Sequence, residues 1–369
     1  MMMRWGRVAG RSFVLSLIGF ICLIGSLWTT TLLADDAAAE ADGAEITSEQ
    51  SEGSGGVIGG NNQDPGVMLQ EIKESRKSHR SALFKASPLK GLHDATDRWS
   101  DEVYEKTNVD AGISIHHLFQ WLTDTIPGED TWGTATDLDF IFRWDVLNRR
   151  EPNRSSITFH VESRWDWGTT GPMAIGAPSL GMLGNTGNSF DKYVPVTIIR
   201  NFYWQTGGAK SKGAFRIGKI TPDSIFGVTP HLTPNNACLS FVCTGAFSSA
   251  VPDSGLGAVG VWHFNDRFKI RGGIHDANAD RFGWGDIGEG DYFTAIDFNV
   301  KIWPLSEKAG YSGFTLWHAD ATENGSNAAT GKEGWGYHIV HEQELSRDGN
   351  LVSIWRYGRS MDESAVFER

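Results

Sequence analysis

From Val109 to Tyr357 apolar and polar residues alternate with a period of two, and no segment of helical period interrupts them. Thr136 to Val146, "TDLDFIFRWDV", places Leu138, Phe140, Phe142, Trp144 and Val146 on one face. Asp137, Asp139, Arg143 and Asp145 share the other with a single exception, Ile141. Ser156 to Asp166, "SITFHVESRWD", alternates Ile157, Phe159, Val161 and Trp165 with Thr158, His160, Glu162, Arg164 and Asp166. Beyond the turn "HFNDR", Phe268, Ile270 and Ile274 stand opposite Lys269, Arg271 and His275. Similar runs at 109–120, 196–205, 213–220, 256–263, 292–303, 311–319, 335–344 and 350–357 bring the expected strands to eleven, in an antiparallel meander.

Two architectures produce this pattern. In a soluble β-sandwich the apolar faces meet a core and the charges meet water. In an outer-membrane β-barrel the apolar faces meet lipid and the charges line a wet lumen. Full charges recur on the polar faces, and aromatics sit near strand ends at Trp144, Trp165, Trp204, Trp262 and Phe268, as a membrane barrel needs. Short turns alternate with long Gly-rich connections at 167–194, 221–255 and 276–291, which again suits a barrel. The composition agrees with a β protein: 44 glycines, 15 tryptophans and only 21% charged residues. A net charge of −12 argues against a nucleic-acid partner.

Arg4, Arg7 and Arg11 precede the apolar run "FVLSLIGFICLIGSLWTTTLLA", which gives way to "DDAAAEADGAE". This order reads as a secretory signal peptide over residues 1–34, cleaved after Ala34 or Ala39, with an uncleaved anchor as the alternative. Its removal deletes three arginines and takes the charge from −12 to −15. Residues 35–65, rich in Gly, Ser, Ala and acids, read as a disordered linker. Residues 66–106 form a helical segment, with candidates from Val67 to Phe84 and from Leu92 to Glu105, the second carrying a narrow stripe of Leu92, Trp99 and Val103. The barrel domain then occupies 107–369. After export, Cys238 and Cys243 in "CLSFVC" are close enough to pin a loop as a disulfide; two free thiols are the alternative.

Four segments, in order, are similar to the carbohydrate-selective porin family, known as the OprB family. "FHVESRWDWGTTG" looks like its strand entering a glycine-rich loop, and "RNFYWQT" followed by "GAFRIGKITPDSIFGV" like its aromatic strand and the short strand after it. "FSSAVPDSGLGAVGVWHFNDRFKIRGGIHDAN" and "GWGYHIVHEQELSRDGN" look like later strand–turn units. The resemblance spans roughly residues 90–357. It implies a sixteen-stranded outer-membrane barrel that passes sugars, with long loops folding inward to narrow the channel, 221–250 being the natural candidate. An odd strand number and a C-terminus at "SAVFER" depart from the family, so the expectation is a C-terminally truncated sequence.

No enzyme motif survives inspection. "DANADRFG" opens like a calcium loop with Asp276, Asn278 and Asp280, but Arg281 stands where Gly is needed and Ile287 where Glu is needed. His116 and His117 are neighbours on a strand and split between faces, as do His338 and His341, so neither pair chelates. No catalytic residue, cofactor or metal is therefore expected. With the family resemblance in support, alternation marks Arg143, Glu162, Arg164, Arg216, Lys269 and Arg271 as lumen-facing residues for a sugar, with Trp167 as a loop-edge aromatic. The expected partners are small sugars and outer-membrane lipid; monomer and homotrimer stay open. The competing function is that of an exported soluble carbohydrate-binding β-sandwich, to which the tryptophans would equally appeal.

Overall fold

The computed structural model describes residues 58–60, 63–77, 90–149, 151, 153–173, 175, 197–208, 211–229, 248–302, 310–322, 331–345 and 351–362. Two helices precede the strands. Helix α1, Pro65–Lys77, begins where local chemistry favours it. Pro65 occupies the first position, and Asp64 accepts the Gly66 and Val67 N–H groups at 2.9 and 3.4 Å. Helix α2, Lys90–Thr107, ends on Asn108, whose φ of 62° is a left-handed turn that asparagine tolerates. Trp99 of α2 is turned outward, 53% exposed. The helix docks instead through Ser100 Oγ on the Ala111 carbonyl, at 3.1 Å, and the Tyr104 hydroxyl on Asp145, at 3.0 Å.

Eleven strands follow: β1 Val109–Trp121, β2 Trp132–Leu147, β3 Ser155–Asp166, β4 Thr197–Thr206, β5 Gly213–Ile220, β6 Gly255–His263, β7 Phe268–Asp276, β8 Tyr292–Ile302, β9 Gly310–Ala319, β10 Gly334–Glu344 and β11 Val352–Ser360. They form one antiparallel sheet in chain order. The strand ends joined by 148–154, 207–212, 264–267, 303–309 and 345–351 lie on one side of the sheet. Those joined by the longer stretches 122–131, 167–196, 221–254, 277–291 and 320–333 lie on the other.

Burial runs opposite to that of a sheet in water. Asp137, Asp139, Asp145, Glu162, Arg164, Arg216, Arg271 and Asp297 are buried. Ile115, Trp144 and Trp355, on the apolar face, are 67%, 49% and 70% exposed. Soluble monomers rarely present contiguous apolar patches beyond a few hundred Å², whereas here exposed Ile, Phe and Trp recur on one face from β1 to β11. Tryptophans rim both ends of that face: Trp121, Trp132, Trp167 and Trp335 towards the long connections, Trp144 and Trp204 towards the short turns. Trp132 and Trp144 share β2. At about 3.3 Å per residue and a tilt of about 40°, they stand about 30 Å apart along the barrel axis, close to the height of a membrane-spanning apolar band. A sandwich requires its apolar face inside and its charges outside; here the strand charges are buried and the face carrying Ile115, Trp144 and Trp355 is exposed.

The polar face is also the enclosed one. Ile141, the apolar exception on it, is fully buried against Met68 and Leu69 of α1, with Ile72 beside them. Its cross-strand partner Gly112 leaves the room, since a Cβ there would stand 2.9 Å from Leu69 Cδ1. Ile58, Phe226, Val259, Val261, Phe293 and Trp317 belong to a second buried cluster, and Phe226 meets the His275 ring edge-on at 6.1 Å. The connection that carries Phe226 also accepts Arg356 of β11 on the Gly227 carbonyl at 3.0 Å. One connection touching β7 and β11 from the same side means that the sheet curls around it. The described parts of 221–250, the loop expected to fold inward, thus lie within the curl. So do Ile58 and Asp64, at the end of the stretch read as linker: both are buried.

Candidate functional site

Charges persist on an enclosed face only if they are paired, because an isolated buried ion is too costly. Near the short-turn end, Arg143 joins Asp110 at 2.8 Å and Asp145 at 3.2 Å. Towards the long connections, Arg164 stands between Asp137, 3.3 Å from its Nε, and Glu162, bonded to its Nη2. Both partners fall on the same face by alternation, so the strand period itself assembles this trio.

The next member departs from the period. In β4, Phe202 and Trp204 point outward, and strict alternation would send Arg200 with them. The β3–β4 register slips between His160 and Val161, which pair with Asn201 and Ile199 and leave Arg200 as the extra residue of a β-bulge. Arg200 and Asn201, consecutive in sequence, are therefore both buried. Arg200 Nε lies 3.6 Å from Glu162, and its Nη1 donates to Asp253 at 2.7 Å. Asp253 also accepts from Arg281 Nε at 2.6 Å. The result is a chain of alternating charge, Asp137–Arg164–Glu162–Arg200–Asp253–Arg281, from the wall to the two long connections. Asn201 accepts both the Thr221 N–H and hydroxyl at 3.0 Å on Oδ1, so its amide nitrogen faces His160 Nδ1 at 3.1 Å. The His160 proton then belongs on Nε2, donated to Asp139 at 2.8 Å.

In the connections, burial pushes the Asp223 carboxyl up to about 6, against the attraction of Arg200 and Arg281. Burial acts upward on Asp253 too, but the Arg200 and Arg281 guanidinia outweigh it and hold this carboxyl below its usual range.

Two further arginines are engaged by the N-terminal stretch. Arg216 pairs with Asp64, also holds Gln205 Oε1 at 3.0 Å, and stacks on the Tyr203 ring at 4.0 Å. Arg271 pairs with Asp297 and donates to the Ile58 carbonyl at 2.8 Å. Lys269 lies two residues before Arg271 on the same face and is half-buried. Arg143, Glu162, Arg164, Arg216, Lys269 and Arg271 thus share the enclosed face, with Glu162 and Arg164 joined in an ion pair. Trp167 does not join them. It continues the outer face of Trp165, with ring centroids 6.1 Å apart, is 62% exposed, and donates Nε1–H to Thr136 at 2.7 Å. Cys238 and Cys243 lie outside the described residues.

The acids of the "DANADRFG" loop are used within it. Asp276 accepts the Asn278 and Asp286 N–H groups at 2.9 and 2.6 Å, and Asp280 those of Phe282 and Gly283, both at 2.7 Å. Residues missed from the sequence are Arg200, Asp253, Arg281 and Asp64. The one available signal for Arg200 was the polar pair Arg200–Asn201 interrupting an otherwise alternating strand.

Charges enclosed, aromatics outward in two rims, an antiparallel meander, and short turns at one end against long connections at the other define the fold of a β-barrel porin. Among solved structures, the chain is similar to Pseudomonas putida OprB, determined at high pH: TM-score 0.57 over 73% of this chain and 70% of that one, at 10% sequence identity. The resemblance read from four sequence segments is therefore matched in three dimensions. No protein-family model and no curated protein matches the sequence.

Proposed function

We propose that the protein is an outer-membrane porin that lets sugars diffuse passively through its charged lumen, reaching that membrane by way of a cleaved signal peptide. The observation that carries this reading is the alternating chain from Asp137 to Arg281 on the enclosed face. Paired arginines and carboxylates present donors and acceptors side by side with little net charge. Such a surface suits a neutral polyol, whose hydroxyls both donate and accept, and many weak contacts of this kind permit entry and release. Glu162, Arg164 and Arg200 are the residues we assign to the sugar, with Arg143 and Lys269 along the approach. The outward aromatics at both rims support lipid as the surrounding solvent. The soluble sandwich finds no support in a face that exposes Ile115, Trp144 and Trp355. The test is planar-bilayer conductance of the detergent-purified chain, with glucose and a disaccharide titrated in. Stepwise channels whose current falls with added sugar are expected. A chain that stays soluble without detergent and forms no channel would refute the reading.

A further inference from the structure

We propose that the stretch carrying Ile58–Gly60 and Asp64 is a plug, latched inside the lumen by Arg216 and Arg271, and that its release enlarges the conducting path. The inference rests on the porin reading and adds a regulatory device to it. Two arginines of the inner wall have their donors directed at the chain's own N-terminal residues. Asp64 is 1% exposed, and both of its carboxylate oxygens engage Arg216, which is 2% exposed. One of those oxygens also caps α1, so latch and helix start share a residue. Arg271 holds the Ile58 carbonyl at 2.8 Å, and the Ile58 side chain is fully buried in the cluster with Phe226 and Val259. Gly60 donates its N–H to Ser224 at 2.8 Å, tying the stretch to the inward connection.

These contacts lie on β5, β7 and the 221–229 connection, while α1 continues onto Gly112 and Ile141 of β1 and β2. Ile58–Gly60, Asp64 and α1 therefore lie in turn along the inner wall from β7 towards β1 and take up space a solute would use. Among the described residues, the contacts that Ile58, Gly60 and Asp64 make with the wall and the inward connection are mostly polar, namely the Asp64–Arg216 ion pair, the Ile58 carbonyl on Arg271 and the Gly60 N–H on Ser224, beside the buried Ile58 side chain. A latch of this make-up can open without unfolding the barrel, because the wall strands keep their own ladder when it leaves.

The experiment uses the full chain with Cys238→Ser and Cys243→Ser, carrying Gly60→Cys with Val228→Cys, where a Cβ on residue 60 would point at the Val228 side chain. Each form is made with Asp64 intact and with Asp64→Asn, and heat-modifiable gel mobility verifies folding. Flux of a small neutral solute into liposomes is read oxidised and reduced. The expected result is flux about threefold or more higher in reduced Asp64→Asn than in the oxidised form, with the difference erased on re-oxidation. Equal, non-zero flux in all four states would overturn the plug and leave the porin reading standing. Zero flux in all four would overturn both.

Discussion

Ile115→Arg tests which solvent bathes the apolar face. Ile115 is 67% exposed on β1 and pairs with Leu138, midway between Trp132 and Trp144 on β2. It therefore sits about 20 Å along the strand from each rim, at the middle of the apolar band. If lipid covers it, an arginine there must snorkel or drag water into hydrocarbon, at a cost of about 2–4 kcal/mol. If water covers it, the change removes an exposed apolar side chain and moves stability by no more than about 0.5 kcal/mol. Reversible urea unfolding from lipid vesicles separates the two, with Ile113→Arg, also outward but nearer the short-turn end, expected to cost less. A neutral Ile115→Arg, or a chain that folds as well without lipid, would refute the placement of this face.

Arg200→Ala removes the link between Glu162 and Asp253; each carboxylate keeps its other arginine, Arg164 or Arg281, but loses one guanidinium partner, and we expect a loss of about 1–3 kcal/mol, together with weaker block of single-channel current by glucose. Asp223 has a folded value near 6 against 3.8 ordinarily, so the packed connection takes up a proton between those values and gains stability as pH falls through them, by at most about 3 kcal/mol. Amide protection over 221–229, with the intrinsic pH dependence of exchange divided out, should accordingly be higher at pH 5 than at pH 7.5, and Asp223→Asn should remove the difference. Ile141→Ala should cost about 2–4 kcal/mol and speed proteolysis of α1, whereas a helix unaffected by the change would show that its contact with β2 is not what holds it.

The eleven strands and the sides of Asp137, Glu162, Arg164, Arg216 and Arg271 were legible along the chain, because a strand turns successive side chains to opposite faces whatever surrounds it. Trp167, read as a loop-edge aromatic, is the first residue after β3; counted on from Trp165, it lies on the outer face. Ile141 looked like a flaw in a charged face until α1 covered it. Arg200 needed the bulge, a slip of β4 against β3 that depends on how two strands meet.

Sequence by itself therefore determined the strand order and the two faces, both of which arise from residues a few positions apart, whereas the helix start at Asp64–Pro65 fell in the stretch read as linker. Which face is enclosed was decided by curvature, a property of the whole sheet. The partners of the buried arginines were likewise decided in three dimensions. Asp64 lies 152 positions from Arg216, and Ile58 lies 213 from Arg271. No local period connects residues so far apart. They meet because a buried guanidinium must find its counter-charge or carbonyl among whatever the closed fold brings within reach.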